Sequence, residues 1–482
     1  MPFTVAGGPS KPFGSLVPFA ESSWAQGLPS PYYKASHEGL RAELRKFLED
    51  DVEILDNAHA WNEKGEIPQE VYQKAVKAGL VAAYAAGPHL PDPAKEPYWK
   101  DIRMPGGVKH EEWDGFHDLI VFEEVHKADF GCGYGLFGGL NIAFPLSTHT
   151  EVSALSANSV SFAAYSRLRL AKPKGSCDSR DSKRQEAPLP GYYWYISPLI
   201  PASGTETAPI EPTFGSDVKR ISTRAVKSED GKHYTVTGQK KWITNGIWSD
   251  YFTTAVRTSG NPGDSTGISI LLIPRVEGVV TRKMKMGGQW AAGTTYIDFE
   301  EVKVPVANLI GKEGEGMRII MTNFNHERLG ICIGANAIAR SVLGDAMTYA
   351  HKREVFQGKL IDQGVIRNKL GNMARLVESQ QAWLEQIVYQ MEHLSKAEGD
   401  RLLGGTTALA KAHCGLVAEL VCREAVQILG GIGYTRGGQG DRIERAYREV
   451  KAISIPGGSE EIMLDLGVRQ QIKIALGIGA KL

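Results

Sequence analysis

Cysteine patterns that could build a disulfide framework or a metal centre are missing from this chain. Its five cysteines (Cys132, Cys177, Cys332, Cys414 and Cys422) stand without CxxC or CxxH spacing. Scattered cysteines of this kind read as small buried hydrophobes in a reducing compartment. Surplus charge is missing as well, because 55 Lys and Arg balance 55 Asp and Glu. Nothing electrostatic therefore points to nucleic acid, and no block of like charge points to a disordered tail. No apolar run reaches the roughly 18 residues needed to span a bilayer. The stretch Met1 to Ser15 has a single Lys and no Arg, so it reads as neither a signal nor a transit peptide. A dinucleotide fingerprint occurs only as a string, Gly133-x-Gly135-x-x-Gly138. No strand pattern precedes it and no ribose-binding acid follows about 20 residues on, so these read as helix-packing glycines.

What is present divides the chain into regimes. At 482 residues it is too long for one simple core, and two or three domains are expected. Residues 1–30 read as an N-terminal extension and 31–152 as a helical domain, with Leu40, Leu44, Phe47, Leu48 and Val52 at helical spacing. Residues 210–312 carry short β-branched and aromatic runs (233–238, 251–256, 268–273 and 295–299) bounded by turn residues such as Asn261-Pro262-Gly263-Asp264. Several strands without intervening helix predict a small β-barrel or sandwich. Residues 313–482 return to helix, with long runs at 314–352, 363–396, 404–430 and 461–475 that predict an antiparallel four-helix bundle. The fold class is thus α+β and multidomain.

Segment 153–209 fits none of these regimes. It has no clear periodicity, a Ser/Asp/Arg-rich run and then Pro-rich sequence, and its edges are abrupt. An insertion, a gene-model error or divergence would each produce such a stretch, and the abrupt edges favour the gene-model reading or decay.

Four segments carry chemistry. They are Asn323-Phe324-Asn325-His326-Glu327-Arg328, Trp242-Ile243-Thr244-Asn245-Gly246, Gln427-Ile428-Leu429-Gly430-Gly431-Ile432-Gly433-Tyr434, and Ile455-Pro456-Gly457-Gly458-Ser459-Glu460-Glu461-Ile462. Together they resemble the FAD-dependent acyl-CoA dehydrogenase family, over nearly the whole chain and in the family's order of helices, barrel and helix bundle. Such enzymes remove an α proton and a β hydride from an acyl thioester. That demands a base, polarisation of the thioester oxygen and a hydride acceptor, which the flavin supplies.

The resemblance implies a catalytic glutamate at one of two places. The usual one, before the Gly-Ser of the late loop, is Gly457 here; the alternative of isovaleryl- and long-chain-type members matches Glu327-Arg328. Glu327 is therefore the expected base, and the Gly457 backbone N–H the expected contact to the thioester oxygen. The side-chain-free Gly457 leaves room for a branched or bulky acyl group.

Trp242 and Thr244 match the Trp-x-Thr whose ring packs on the isoalloxazine and whose hydroxyl approaches flavin N5. Gly215 and Ser216 match the segment near the flavin phosphate, whereas Ile210 replaces the family's Thr ahead of Glu-Pro. Arg353 and Phe356 match an Arg-x-x-Phe that reaches FAD across a subunit interface; the downstream Gln falls at Gln363, or gives way to Gly364. Gln427, Gly430 and Gly431 match the glycine-rich loop at the neighbouring subunit's pyrophosphate, and Ser459 and Glu461 the adenine side. A homodimer or homotetramer is implied.

An acyl-CoA substrate and an electron-transfer flavoprotein or oxygen as acceptor follow from the same resemblance. The terminal Ala480-Lys481-Leu482 is close to the Ser-Lys-Leu address read by the peroxisomal import receptor, so a peroxisomal location is expected, otherwise a cytoplasmic one. Two other readings stand beside the dehydrogenase. One is a related flavoenzyme of a secondary-metabolite or toxin pathway on a specialised acyl substrate, and the other is an FAD-free, inactive paralogue.

Overall fold

The computed structural model describes residues 12–90, 102–138, 205–208, 211–212 and 215–480. Ile210, most of segment 153–209 and the terminal Lys481-Leu482 lie outside them, and with them the expectations placed there.

Among the described residues the N-terminal part holds the helices α1 (Ala35–Lys46), α2 (Ile54–Lys64), α3 (Gln69–Lys77), α4 (Leu80–Ala86), α5 (Gly115–Ala128) and α6 (Phe130–Phe137). Their ends follow from local chemistry. Asp114 caps α5 by accepting from the Phe116 and His117 N–H groups, and Asp129 caps α6 by accepting from Cys132 N–H. The Asp114 carboxylate also meets His37 Nε2 at 2.9 Å, which ties the start of α1 to the start of α5. Further along, Arg41 pairs with Glu123 and Arg45 with Glu124, so the two helices are bonded as well as packed.

The strands are β1 (Thr205–Ala208), β2 (Arg224–Lys227), β3 (His233–Ile243), β4 (Tyr251–Arg257), β5 (Ile268–Pro274), β6 (Val279–Lys283), β7 (Thr295–Pro305) and β8 (Leu309–Ile310). They pair in the order β6-β7-β3-β2-β4-β5-β8, with β1 parallel to β4. Two expectations need correction. No closed barrel forms among the described residues, because the end strands β6 and β8 do not pair and the sheet stays open. Segment 153–209, read as fitting none of the regimes, supplies β1 in its last residues, where Thr205 to Ala208 run beside Tyr251 to Thr254.

Burial explains the open sheet. Strand β3 alternates buried and exposed residues, as a half-covered strand should. Strands β4 and β5 are buried almost throughout. One side joins Tyr234, Phe252, Leu271, Ile297 and Phe299. The other packs Ala255, Ile268, Ile270 and Leu272 against Ile319 and Ile320 of the following helix. That helix covers a face which barrel closure would otherwise have to bury.

The C-terminal part holds α7 (Gly316–Lys352), α8 (Gly364–His393), α9 (Lys396–Leu402), α10 (Gly404–Leu429), α11 (Asp441–Glu449), α12 (Lys451–Ser454) and α13 (Glu460–Gly477). A two-stranded hairpin, β9 (Glu354–Val355) and β10 (Gly358–Lys359), follows α7. The four long helices coincide with the four expected runs. Helix α10 lies along both α7 and α13, and α8 lies against α7 and α10.

One apolar core joins Leu119 to Val125 of α5 with Leu329 to Ala350 of α7 and Ala410 to Leu429 of α10. Close approach of α5 to α7 depends on glycine. A Cβ at Gly330 would lie 2.6 Å from Phe122 Cε1, and one at Gly334 would lie 3.1 Å from His126 Cγ. The fingerprint-like glycines serve packing too, since a Cβ at Gly135 would lie 2.6 Å from the Ala291 carbonyl oxygen. No helix among the described residues is long and apolar enough to cross a membrane.

Candidate active site

Glu327 sits on α7 within the stretch that runs beside α5, and it is only 8% exposed. Burial pushes its carboxyl above the ordinary glutamate value, while the charges of Arg328, His326 and Lys411 pull the other way. Tyr134 of α6 is close enough to feel Glu327: burial first, then the glutamate charge, push its phenol upward. Next to the glutamate, His326 Nε2 meets the buried Asp118 of α5 at 2.8 Å. No pattern in the sequence links these two residues, which lie on different helices 208 positions apart.

The late loop comes to the same place. Arg328 Nε donates to the Gly457 carbonyl at 2.9 Å, across 129 residues of chain. Gly457 has a φ of +68°, and a Cβ there would lie 2.9 Å from Ile331 Cδ1 and 3.6 Å from Arg328 Cγ. Glycine is thus demanded twice, by backbone conformation and by contact with α7. Buried Lys411 of α10 donates to the carbonyls of Ser454 and Gly458, the latter at 2.6 Å. The two alternative base positions therefore converge on one site, with the carboxylate at one and a bare backbone at the other.

Trp242 and Thr244 stand at the end of β3. A register shift between Lys240 and Ile243 interrupts the β3–β7 pairing there, and Trp242 takes a φ of +59°. An aromatic residue in the left-handed region is uncommon and costly unless its surroundings hold it. The bulge leaves Trp242 42% exposed, with the Lys241 ammonium 4.5 Å from its ring centroid.

A buried ion pair fixes this end of the strand. Lys240 Nζ meets Glu211 Oε1 at 2.9 Å, and both side chains are buried. Glu211 also accepts from Ser222 N–H at 2.9 Å and Thr223 N–H at 2.8 Å. Burial raises the Glu211 carboxyl, but Lys240 and these donors outweigh it and bring it down to about 2. Gly215 and Ser216, four and five residues after that anchor, are exposed. A Cβ at Gly215 would meet nothing within 4 Å.

The remaining predicted contacts lie elsewhere on the chain. Arg353 is exposed at the C-terminus of α7. At about 1.5 Å per residue, the helix carries it roughly 39 Å along from Glu327. Phe356, at the tip of the β9–β10 hairpin, is 92% exposed with φ +47°. Gln363 is the N-cap residue of α8. Gln427, Gly430 and Gly431 are exposed where α10 ends, and Gly430 and Gly431 face open space. Ser459 is the N-cap residue of α13 and Glu461 lies exposed in its first turn.

The chain therefore presents two separate sets. Buried Glu327 and Lys411, with half-buried Gly457, form one centre. Arg353, Phe356, Gln427, Gly430 and Gly431 form surfaces. Their donor types suit a planar, phosphate-bearing cofactor: an exposed aromatic ring at Trp242, and side-chain-free backbone at Gly215, Gly430 and Gly431 where phosphates could approach N–H groups.

Residues 207–302 match the acyl-CoA dehydrogenase middle domain and residues 314–472 the acyl-CoA dehydrogenase C-terminal domain. The chain is 41% identical over 464 residues to the acyl-CoA dehydrogenase apdG of Emericella nidulans, covering 95% of this chain and 96% of that protein. It is 35% identical over 466 residues to the acyl-CoA dehydrogenase AFT10-1 of Alternaria alternata, covering 96% and 97%. The crystal structure of acyl-CoA dehydrogenase from Geobacillus kaustophilus superposes with a TM-score of 0.72 at 25% identity, covering 92% of this chain and 99% of that one. With its buried glutamate on α7, its open mixed sheet and full-length relatives of this kind, the chain belongs to the acyl-CoA dehydrogenase family, whose members are oxidoreductases acting on the CH–CH group of acyl-CoA.

Proposed function

We propose that this protein dehydrogenates an acyl-CoA thioester between its α and β carbons, giving a 2-enoyl-CoA, with Glu327 as the base. The observation that carries this reading is a buried carboxylate, raised in pKa by burial, held beside the one loop whose residue 457 has no side chain. A base desolvated in this way is matched to a weakly acidic α proton. The Gly457 N–H polarises the thioester oxygen as negative charge develops on it. Members of the family bind FAD, which when bound supplies the acceptor for the β hydride.

In this reading Trp242, Thr244, Gly215 and Ser216 hold FAD from the protomer that carries Glu327. Gln363, Ser459 and Glu461 add further FAD contacts, and Arg353, Phe356, Gln427, Gly430 and Gly431 complete the site of a second copy. The separation of these surfaces from Glu327 supports a shared site and a homo-oligomer. An electron-transfer flavoprotein or oxygen reoxidises the flavin. The open backbone at Gly457 supports a branched or specialised acyl group.

The test is a visible spectrum of the purified protein supplied with FAD, recorded anaerobically as acyl-CoAs of several lengths and branching patterns are added. A bound flavin that bleaches with a subset of thioesters is expected. A protein that takes up no FAD, or whose flavin no acyl-CoA bleaches, would overturn the reading.

A further inference from the structure

Lys411 is a lysine out of place. It lies in the interior of α10, 1% exposed, with no carboxylate among its hydrogen-bond partners in the described residues. A buried ammonium must gain something for its lost hydration. Here it gains carbonyl oxygens, those of Ser454 and Gly458, which flank Gly457 on both sides. The Gly457 carbonyl itself is taken by Arg328 Nε at 2.9 Å. The turn from Ser454 to Gly458 is thus held at three carbonyls by two cations, one from α10 and one from α7.

A turn with φ +68° at Gly457 and +109° at Gly458 has no intrinsic preference for one conformation, since glycine samples these regions freely. Whatever fixes the direction of the Gly457 N–H must come from outside the turn. The clamp holds the Ser454, Gly457 and Gly458 carbonyls, on peptide planes to either side of the one that carries this N–H. Lys411 also lies near enough to Glu327 for its charge to lower the glutamate pKa.

We propose that Lys411 is a positioning residue. By clamping the Ser454 and Gly458 carbonyls, it aims the Gly457 N–H at the thioester oxygen while Glu327 removes the α proton. This rests on the assignment of Glu327 as base made above. Other groups face the Lys411 ammonium from the elements packed around it. Glu327, Arg328 and Cys332 come from α7, Cys414 from the next turn of α10, and the loop offers its carbonyls. Burial, the strongest influence, lowers Lys411 to about 8, whereas burial pushes the Cys414 thiol well up. The clamp therefore loses its charge on the alkaline side of neutrality.

The experiment uses the FAD-loaded enzyme and a saturated acyl-CoA. It measures exchange of the α proton with deuterium oxide under anaerobic conditions, the thioester dissociation constant, and the pH dependence of exchange. Losing one well-aimed oxyanion donor costs roughly 100- to 1,000-fold, so mis-aiming it in Lys411→Met should slow exchange by about 10-fold or more. Thioester affinity should change less than about threefold, because the lost interaction is made in the transition state. Wild-type exchange should decline above pH about 8, and Lys411→Met should lack that decline.

Exchange by Lys411→Met at the wild-type rate would overturn the proposal. So would a loss of affinity that matches the loss of rate. Should the variant fail to fold, the wild-type profile decides: exchange that stays flat to pH about 10, well past the lowered Lys411 value of about 8, overturns the assignment. A wild-type enzyme that binds FAD and thioester yet exchanges no α proton would instead sink the Glu327 reading, so the two failures are distinguishable.

Discussion

Replacing Lys240 by methionine should loosen the end of β3 and both segments anchored to it. The ammonium lies 2.9 Å from Glu211 and both groups are buried. Glu211 is held at about 2, mainly by Lys240 and the Ser222 and Thr223 donors acting against burial. Burial moves Lys240 the other way, down to about 8, so each partner's gain is offset by the other's desolvation. A pair of this kind contributes little as a unit, whereas removing one partner leaves a buried charge uncompensated, at a cost of roughly 3–5 kcal/mol. Glu211 keeps its Ser222 and Thr223 donors, so the loss for Lys240→Met should fall near the lower bound, about 3 kcal/mol. The double replacement Glu211→Leu, Lys240→Met should recover most of it. Urea unfolding of wild type, both single variants and the double variant gives the coupling energy, and flavin retention on gel filtration reports the local effect. Lys240 is two residues from Trp242, so Lys240→Met should shed FAD faster than wild type. A Lys240→Met protein within about 0.5 kcal/mol of wild type, the usual range for a surface change, would refute the anchoring argument.

Three further outcomes follow from the geometry. The lowered pKa of Glu211 means that its contribution to stability is present above the unfolded value of 4.5 and is lost as pH falls toward about 2; acid unfolding of Glu211→Gln should be shallower in that window. Gly457→Ala puts a Cβ 2.9 Å from Ile331 Cδ1 at a φ of +68°. The left-handed conformation alone costs about 1–2 kcal/mol, so kcat should fall with FAD still bound, and trimming Ile331 to valine should restore only part of it. The proposed role of Glu327 as base requires its ionised form, and burial raises its pKa, so kcat/KM should fall on the acid side with a midpoint above 4.5. A pH–rate profile with its acid midpoint at or below 4.5 would contradict the burial argument.

Much of this architecture was legible from residue periodicity. The four long C-terminal helices announce themselves by length and by apolar spacing, and the runs at 251–256 and 268–273 by density of β-branched residues. Strands β2, β6 and β8 were not legible. Arg224–Lys227 and Val279–Lys283 are short and mostly exposed, so little burial pattern marks them. Openness of the sheet could not be read either, because closure depends on whether α7 covers β5, which is a tertiary fact. At the site, Glu327 and Gly457 could be named as alternatives, but their convergence through Arg328 required the fold. Lys411 and the Asp118–His326 pair were missed. A lysine in an apolar helical run, flanked by Ala410 and Ala412, was the available signal for the first. Nothing in the sequence signalled the second.

Glu327→Gln tests the central claim most directly. The FAD-loaded variant is mixed anaerobically with an acyl-CoA that bleaches the wild type, and flavin absorbance is followed in a stopped-flow instrument. General-base catalysis contributes roughly 100- to 10,000-fold, so bleaching should slow by at least that lower bound while FAD and thioester remain bound. A variant that bleaches at nearly the wild-type rate would show that another group takes the α proton, and that Glu327 is only a buried neighbour of the site.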